Sequence, residues 1–222
     1  MKRRHLTAAL LVAAVPPGLR AAPSETDAAA GVRAALERGA LAAVQLLGRS
    51  DGFLGNPQVR IPLPEHLERV AKLLKATGQG QRVDELVMAM NRAAEAAVPE
   101  ARTLFVSTVK QMSVEDALQL VRGSPTAVTE YFAAKTRTPL GEKFLPIVTR
   151  ATQKVKLAER YNQVAAKAAG AGLVKGEAVT VQQHVTARAL DGLFLVIGEE
   201  EKKMRADPVK TGSALLKRVF GG

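Results

Sequence analysis

The chain has no cysteine and no tryptophan, only two tyrosines and six phenylalanines, and three histidines. Each shortage removes a class of chemistry. Without Cys there is no disulfide staple, thiolate nucleophile, cysteine metal site or lipid anchor on a cleavage-site thiol, so stability must come from packing. With aromatics at 4% of the residues, stacking platforms for single-stranded nucleic acid have little material. Beyond residue 22 only His66 and His184 remain. They form no HExxH and no pair at ligand spacing, and no GxSxG elbow or phosphate loop occurs, since Gly78-Gln79-Gly80 lacks a following Lys-Ser or Lys-Thr. No metal, cofactor or catalytic residue is expected from these patterns. Beyond the N-terminal segment no run of 18 apolar residues appears, which argues against a membrane-spanning helix there.

What is present begins at the N-terminus. Lys2, Arg3 and Arg4 precede an apolar run from Leu6 to Val15, which Pro16, Pro17 and Gly18 break before the small residues Ala21 and Ala22. A charged end, a short greasy core and a small-residue zone form the layout of a secretory signal peptide, with the cut expected near Ala22. Arg3-Arg4 is shared with twin-arginine signals, and the general and twin-arginine routes both stay open. The expectation is an exported, periplasmic protein with a signal peptide at 1–22 and one domain at 23–222. The leader carries four cations (Lys2, Arg3, Arg4, Arg20) and no acid, so its removal lowers the formal charge from +11 to +7. A basic exported domain points to anionic lipid, lipopolysaccharide or cell-wall polymer as partner, and away from nucleic acid.

The remaining chain reads as helix after helix. Val32, Leu36, Ala40, Val44 and Leu47 recur at three- and four-residue steps, predicting a first helix capped by Ser24 or Thr26 and stopped at Gly48. Asp51-Gly52 and Asn56-Pro57 mark a loop, and Val59 to Pro64 reads as extended because each proline pushes its predecessor out of the helical region. Helices are then predicted from Pro64 to Gly78, around Val83 to Ala97, from Pro99, from a Ser113/Asp116 capping box to Gly123, and from Ser124-Pro125 through Phe132. A further helix is predicted from Thr138-Pro139 to about Ala169, with a kink at Pro146. Residues 173–180 form a connection that can include an isolated strand. A long helix from Val181 to about Ala206 and a short one after Pro208 complete the set. No fixed-period repeat and no sheet-forming run occur, so the expected class is all-α, a single-domain multi-helix bundle.

Three constellations stand out. Asn91 is a mediocre residue for a helix interior, yet it lies four after Val87 and three before Ala94, at the edge of the apolar stripe. It either points into a ligand cavity or bonds the Asp51–Asn56 loop or a neighbouring helix end, and the second reading is preferred because buried polar groups usually satisfy other buried polar groups. Arg92 and Glu95, three apart, can pair. In the long helix, Leu190, Leu193, Phe194 and Ile197 make a core stripe around Asp191 and Gly192, followed by Gly198 and Glu199-Glu200-Glu201. The preferred reading of the glutamates is a solvated face with Glu199–Lys203 pairing. The two glycines imply close packing or ligand approach. In the tail, Lys210, Lys217, Arg218 and Phe220 suit either an anionic membrane surface or a terminal helix that closes the core. Asn91, Arg92, Glu95, Asp51 and Asp191 are therefore the candidate ligand-binding residues.

Several of these segments carry a family resemblance. Asp51-Gly52-Phe53-Leu54, Ile61-Pro62-Leu63-Pro64, Met90-Asn91-Arg92-Ala93-Ala94-Glu95, Tyr131-Phe132, Ala189 to Phe194 with Glu199-Glu200-Glu201, and Leu215 to Gly221 resemble the bacterial proteins grouped as domain of unknown function 4197, over about 32–221. The resemblance implies an exported, helical envelope protein and implies no reaction. His184 stands where that pattern implies an aromatic residue such as Tyr. Two function classes follow. One is a non-enzymatic binding or scaffold protein that engages an apolar or anionic envelope partner, with a purely structural helper in envelope assembly as its neighbour. The other is a carboxylate-based hydrolase or lyase with a cleft near Asn91, Arg92 and Glu199, drawing on Asp51 and Glu95.

Overall fold

A computed structural model describes residues 24–170 and 180–207. The leader at 1–22, most of the connection at 173–180 and the tail residues Lys210, Lys217, Arg218 and Phe220 lie outside them. The described residues form eight α-helices: α1 (Glu25–Leu47), α2 (Glu65–Ala76), α3 (Gly80–Ala97), α4 (Ala101–Gln111), α5 (Val114–Arg122), α6 (Ala127–Thr152), α7 (Lys156–Gly170) and α8 (Val181–Ala206). A single 3-10 turn at Val98–Glu100, with Pro99 inside it, joins α3 to α4. No strand is present among the described residues, so the all-α expectation holds.

The two longest helices, α6 and α8, pack along each other. α3 lies across both, α1 covers α8 with α4 and α5, and α2 covers α3. Every apolar position read for α1 is buried, together with Ala29, Ala35, Gly39 and Ala43, so small residues let this helix approach its neighbours closely. Phe53, Phe105, Phe132 and Phe144 are fully enclosed, and Phe105 meets Phe132 edge-on with ring centroids 5.2 Å apart.

Helix starts follow local chemistry. Ser24 caps α1 through Asp27 N, 3.1 Å away. Ser113 and Asp116 form the complete reciprocal capping box of α5, at 2.9 and 3.1 Å, despite the shorter acid. Thr180 and Gln183 make a second capping box at α8.

One boundary differs from the sequence reading. The expected break at Thr138-Pro139 is absent: α6 runs through Pro139 and Pro146 and ends at Thr152, and the break falls at 153–155 before α7. A proline inside a helix frees the carbonyl four residues earlier. Here those residues are Lys135 and Glu142, both exposed, so water can satisfy the freed carbonyls. Phe132, Thr136, Leu140, Phe144 and Val148 form an unbroken buried stripe across both prolines, and this packing outweighs the local penalty.

Gly192 of α8 sits against the loop that follows α1. A Cβ there would lie 2.9 Å from Phe53 Cε1 and 3.1 Å from Val59 Cβ, both rigidly held, so the close-packing reading of this glycine is correct. At Gly198 the nearest atom, Thr129 Oγ1, would be 3.4 Å away, an ordinary contact.

Two outcomes follow. Gly192→Ala should lower unfolding free energy by about 1–3 kcal/mol in urea titration, although alanine is the better helix former, because the added methyl overpacks the Phe53 contact. The Ser113 side chain, then its backbone N–H, hold the Asp116 carboxyl below the ordinary aspartate value of 3.8. A depressed folded-state value contributes stability above the unfolded value that is lost as pH falls through the folded one. Asp116→Asn should therefore flatten the acid limb of a stability–pH curve below about pH 4, leaving its shape near neutrality unchanged.

Candidate functional site

The candidate residues converge where α3 meets the loop between α1 and α2. The loop turns tightly after Gly48. Asp51 adopts a left-handed backbone (φ +63°), which aspartate tolerates better than most residues. Gly52 follows with no space for a side chain, since a Cβ would fall 2.4 Å from Leu47 O. The turn points two successive N–H groups inward, and Phe53 N and Leu54 N both donate to Glu95 Oε1, at 3.0 and 3.1 Å. Glu95 is 4% exposed. Its other oxygen accepts from Arg92 Nη1 at 2.7 Å. The same guanidinium donates to Ser50 Oγ at 2.9 Å and to Asp51 Oδ1 at 2.8 Å. The hydrogen bond to Glu95, aided by the charges of Glu95 and Asp51, raises the Arg92 pKa above the ordinary arginine value, so it is a permanent cation.

One helical turn earlier, Asn91 is fully buried. Its Oδ1 accepts from Ile61 N at 2.8 Å, and its Nδ2 donates to Ile61 O at 3.0 Å and to Val87 O at 2.8 Å. The side chain thus pairs with the extended segment as a neighbouring strand would, and α3 holds one loop at two points, Phe53-Leu54 and Ile61. The preferred structural reading of Asn91 is right in kind. Its partner is Ile61, beyond the Asp51–Asn56 turn, because Glu95 already occupies the N–H groups of that turn. His184 Nε2 lies 3.1 Å from Pro62 O and ties α8 to the same segment.

Asp191 belongs to a different cluster. It pairs with Arg137 of α6 and with Arg188 at 3.5 Å, and Arg137 lies over the Phe194 ring, 5.6 Å from its centroid. Glu199 pairs with Lys202 at 2.9 Å and Glu200 with Lys203 at 2.7 Å, so the expected Glu199–Lys203 pairing is replaced by two i,i+3 pairs. Glu201 is not solvated at all: it is 1% exposed. Its oxygens accept from Val128 N, Thr129 N and Thr129 Oγ1, capping α6 from outside the helix. Arg205 donates to Glu201 and to the carbonyls of Leu120 and Val121 near the end of α5. The signal for this tie was legible, since Glu201 lies four residues beyond the buried Ile197 and so on the core face.

Beside the Asn91–Ile61 junction lies a surface groove of about 570 Å³ between α2, α3 and the extended segment. Leu63, Ala71, Val83, Val87 and Met88 give it apolar walls, and Met88 is 52% exposed. Arg60, Lys72 and Lys75 stand at it against Glu68 and Asp84, with Lys75 and Asp84 3.9 Å apart. Single-sequence reading missed this groove, because α2 and α3 each show only a normal amphipathic pattern and the gap exists only once they are packed.

The polar atoms of Asn91 and Glu95 are therefore spent on holding the loop. Glu95→Ala should cost about 2–3 kcal/mol in chemical denaturation, because it strands the buried Phe53 N–H and the half-buried Leu54 N–H. Asp51→Asn, which removes only the exposed charge pair and keeps a residue that tolerates the left-handed backbone, should cost about 1 kcal/mol or less.

No curated protein and no solved structure matches the chain. A family profile described as a protein of unknown function, DUF4197, matches residues 22–221. With nearly the whole sequence covered, the chain belongs to the DUF4197 family.

Proposed function

We propose that this chain is an exported, non-enzymatic binding protein of the bacterial cell envelope, and that its α2–α3 groove receives an amphipathic partner with an apolar part and an anionic group. The observation that carries this reading is the composition of the groove: apolar walls with Met88 open to solvent, and three cations, Arg60, Lys72 and Lys75, against two acids, Glu68 and Asp84. Contact with the apolar walls would supply affinity, and the cations would select charge. The leader-like N-terminus and the basic composition support the same compartment and partner class.

The hydrolase or lyase alternative asks Asn91, Arg92, Asp51, Glu95, Asp191 and Glu199 to reach one reacting atom. Asn91 and Glu95 are engaged by the loop, while Asp191 and Glu199 sit in ion pairs of their own, so binding is the better-supported reading.

Co-sedimentation with phosphatidylglycerol vesicles, phosphatidylcholine vesicles and lipopolysaccharide, at low and high salt, tests the reading. Binding to the anionic surfaces should fall at least fivefold in Met88→Asp, which changes an exposed side chain, and weaken with salt. Absence of binding under every condition, with no co-purifying ligand in native mass spectrometry, overturns it.

A further inference from the structure

We propose that the cleft where α3 meets the α6–α7 turn is a second site, and that it takes a phosphoryl-bearing anion. It is physically separate from the α2–α3 groove. Arg82 of α3 and Lys154, Lys156 and Arg160 of the turn and α7 line a cleft of about 520 Å³. One carboxylate, Glu85, lines it with them, so four cations face a single acid.

The pairing pattern sets these cations apart from those of the α3 clamp and α8. Arg92, Arg137, Arg188, Lys202, Lys203 and Arg205 each have a carboxylate partner. None of the four cleft cations has one among the described residues. Arg82 donates to the neutral Gln79 side chain at 2.9 Å, and Glu85 accepts from Gln81 at 3.3 Å. The acid in the cleft is therefore not spent on neutralising its neighbours. Four like charges around one concavity repel, and a concave wall focuses their field. Val155 and Leu157, both half-buried, give part of that wall a low-dielectric surface that strengthens the attraction for a counter-anion.

The balance of charge indicates the ligand class. A carboxylate monoanion would leave most of the excess positive charge in place. A phosphoryl dianion would neutralise most of it and offer three oxygens to two guanidinium forks and two ammonium groups. The cleft has room for a further group on the phosphoryl ester. A phosphorylated lipid headgroup and a soluble phosphate ester share this chemistry.

The inference rests on the reading of the chain as a binder of anionic envelope molecules and adds a second place and a chemical class. Its test uses the full chain, with glycerol phosphate as the soluble probe in titration calorimetry at low salt. Saturable binding is expected, at least tenfold weaker in Arg82→Ala/Arg160→Ala and unchanged in Met88→Asp. Circular dichroism checks that the variants, altered only at exposed residues, keep their helix content. Phosphatidic acid vesicles, whose phosphomonoester headgroup bears the same phosphoryl group as the probe, then compete: displacement of the probe assigns the cleft to a lipid headgroup, and lack of displacement assigns it to a soluble ester, with the cleft supported in both cases. Absence of saturable binding, or equal binding by the double variant, overturns the inference. Vesicle binding that survives in the double variant but is lost in Met88→Asp would then leave the groove reading intact.

Discussion

Two buried side chains on one face of α3, Asn91 and Glu95, hold the conformation of the segment between α1 and α2. That segment has no regular structure of its own, so its inward N–H groups need partners from elsewhere. Glu95 takes two of them and Asn91 pairs with Ile61 on both sides. With its backbone satisfied, the loop can press Phe53 into the core against Gly192, which joins α3, α8 and the loop into one packed unit. The same anchorage sets Arg60, Pro62 and Leu63 along the groove. Loss of the clamp therefore removes core packing and the groove wall together.

A second polar device does similar work at the other end of the bundle. Glu201 supplies the N-terminal acceptors that α6 lacks, for its own N-cap residue Thr126 makes no side-chain capping bond. Arg205 takes up carbonyls near the end of α5 and completes the charge pair. A carboxylate so thoroughly enclosed is tolerated because its oxygens meet donors on both sides. In both devices a carboxylate of one helix satisfies backbone N–H groups of another segment, and an arginine on the carboxylate's own helix balances its charge.

The polar groups most visible in the sequence thus serve the fold, and the surfaces suited to ligands are built from residues that look unremarkable in order. Asn91 drew notice because asparagine is a poor helix residue at the edge of an apolar stripe, and the structure gives that oddity a structural use. Met88, Lys72, Arg82 and Lys156 carry no such signal. Each is an ordinary exposed residue until packing places it beside cations and apolar walls from distant segments. The prolines of α6 show the converse limit: local rules marked a helix start at Pro139, and the continuous buried stripe from Phe132 to Val148 overrode them.

Sequence alone determined the all-helical class, most helix limits and both halves of the α5 capping box, because each rests on near-neighbour chemistry or on a 3.6-residue period. It also marked Asn91 as a structural residue and paired Arg92 with Glu95, through spacing along a single helix. Only the tertiary structure decided what Asn91 and Glu95 bond, which N–H groups Glu201 caps, and that two separate concavities form, one with apolar walls and a rim of mixed charge and one basic. Those outcomes depend on which segments meet across the bundle, and a one-dimensional pattern carries the phase of each helix without the identity of its neighbours.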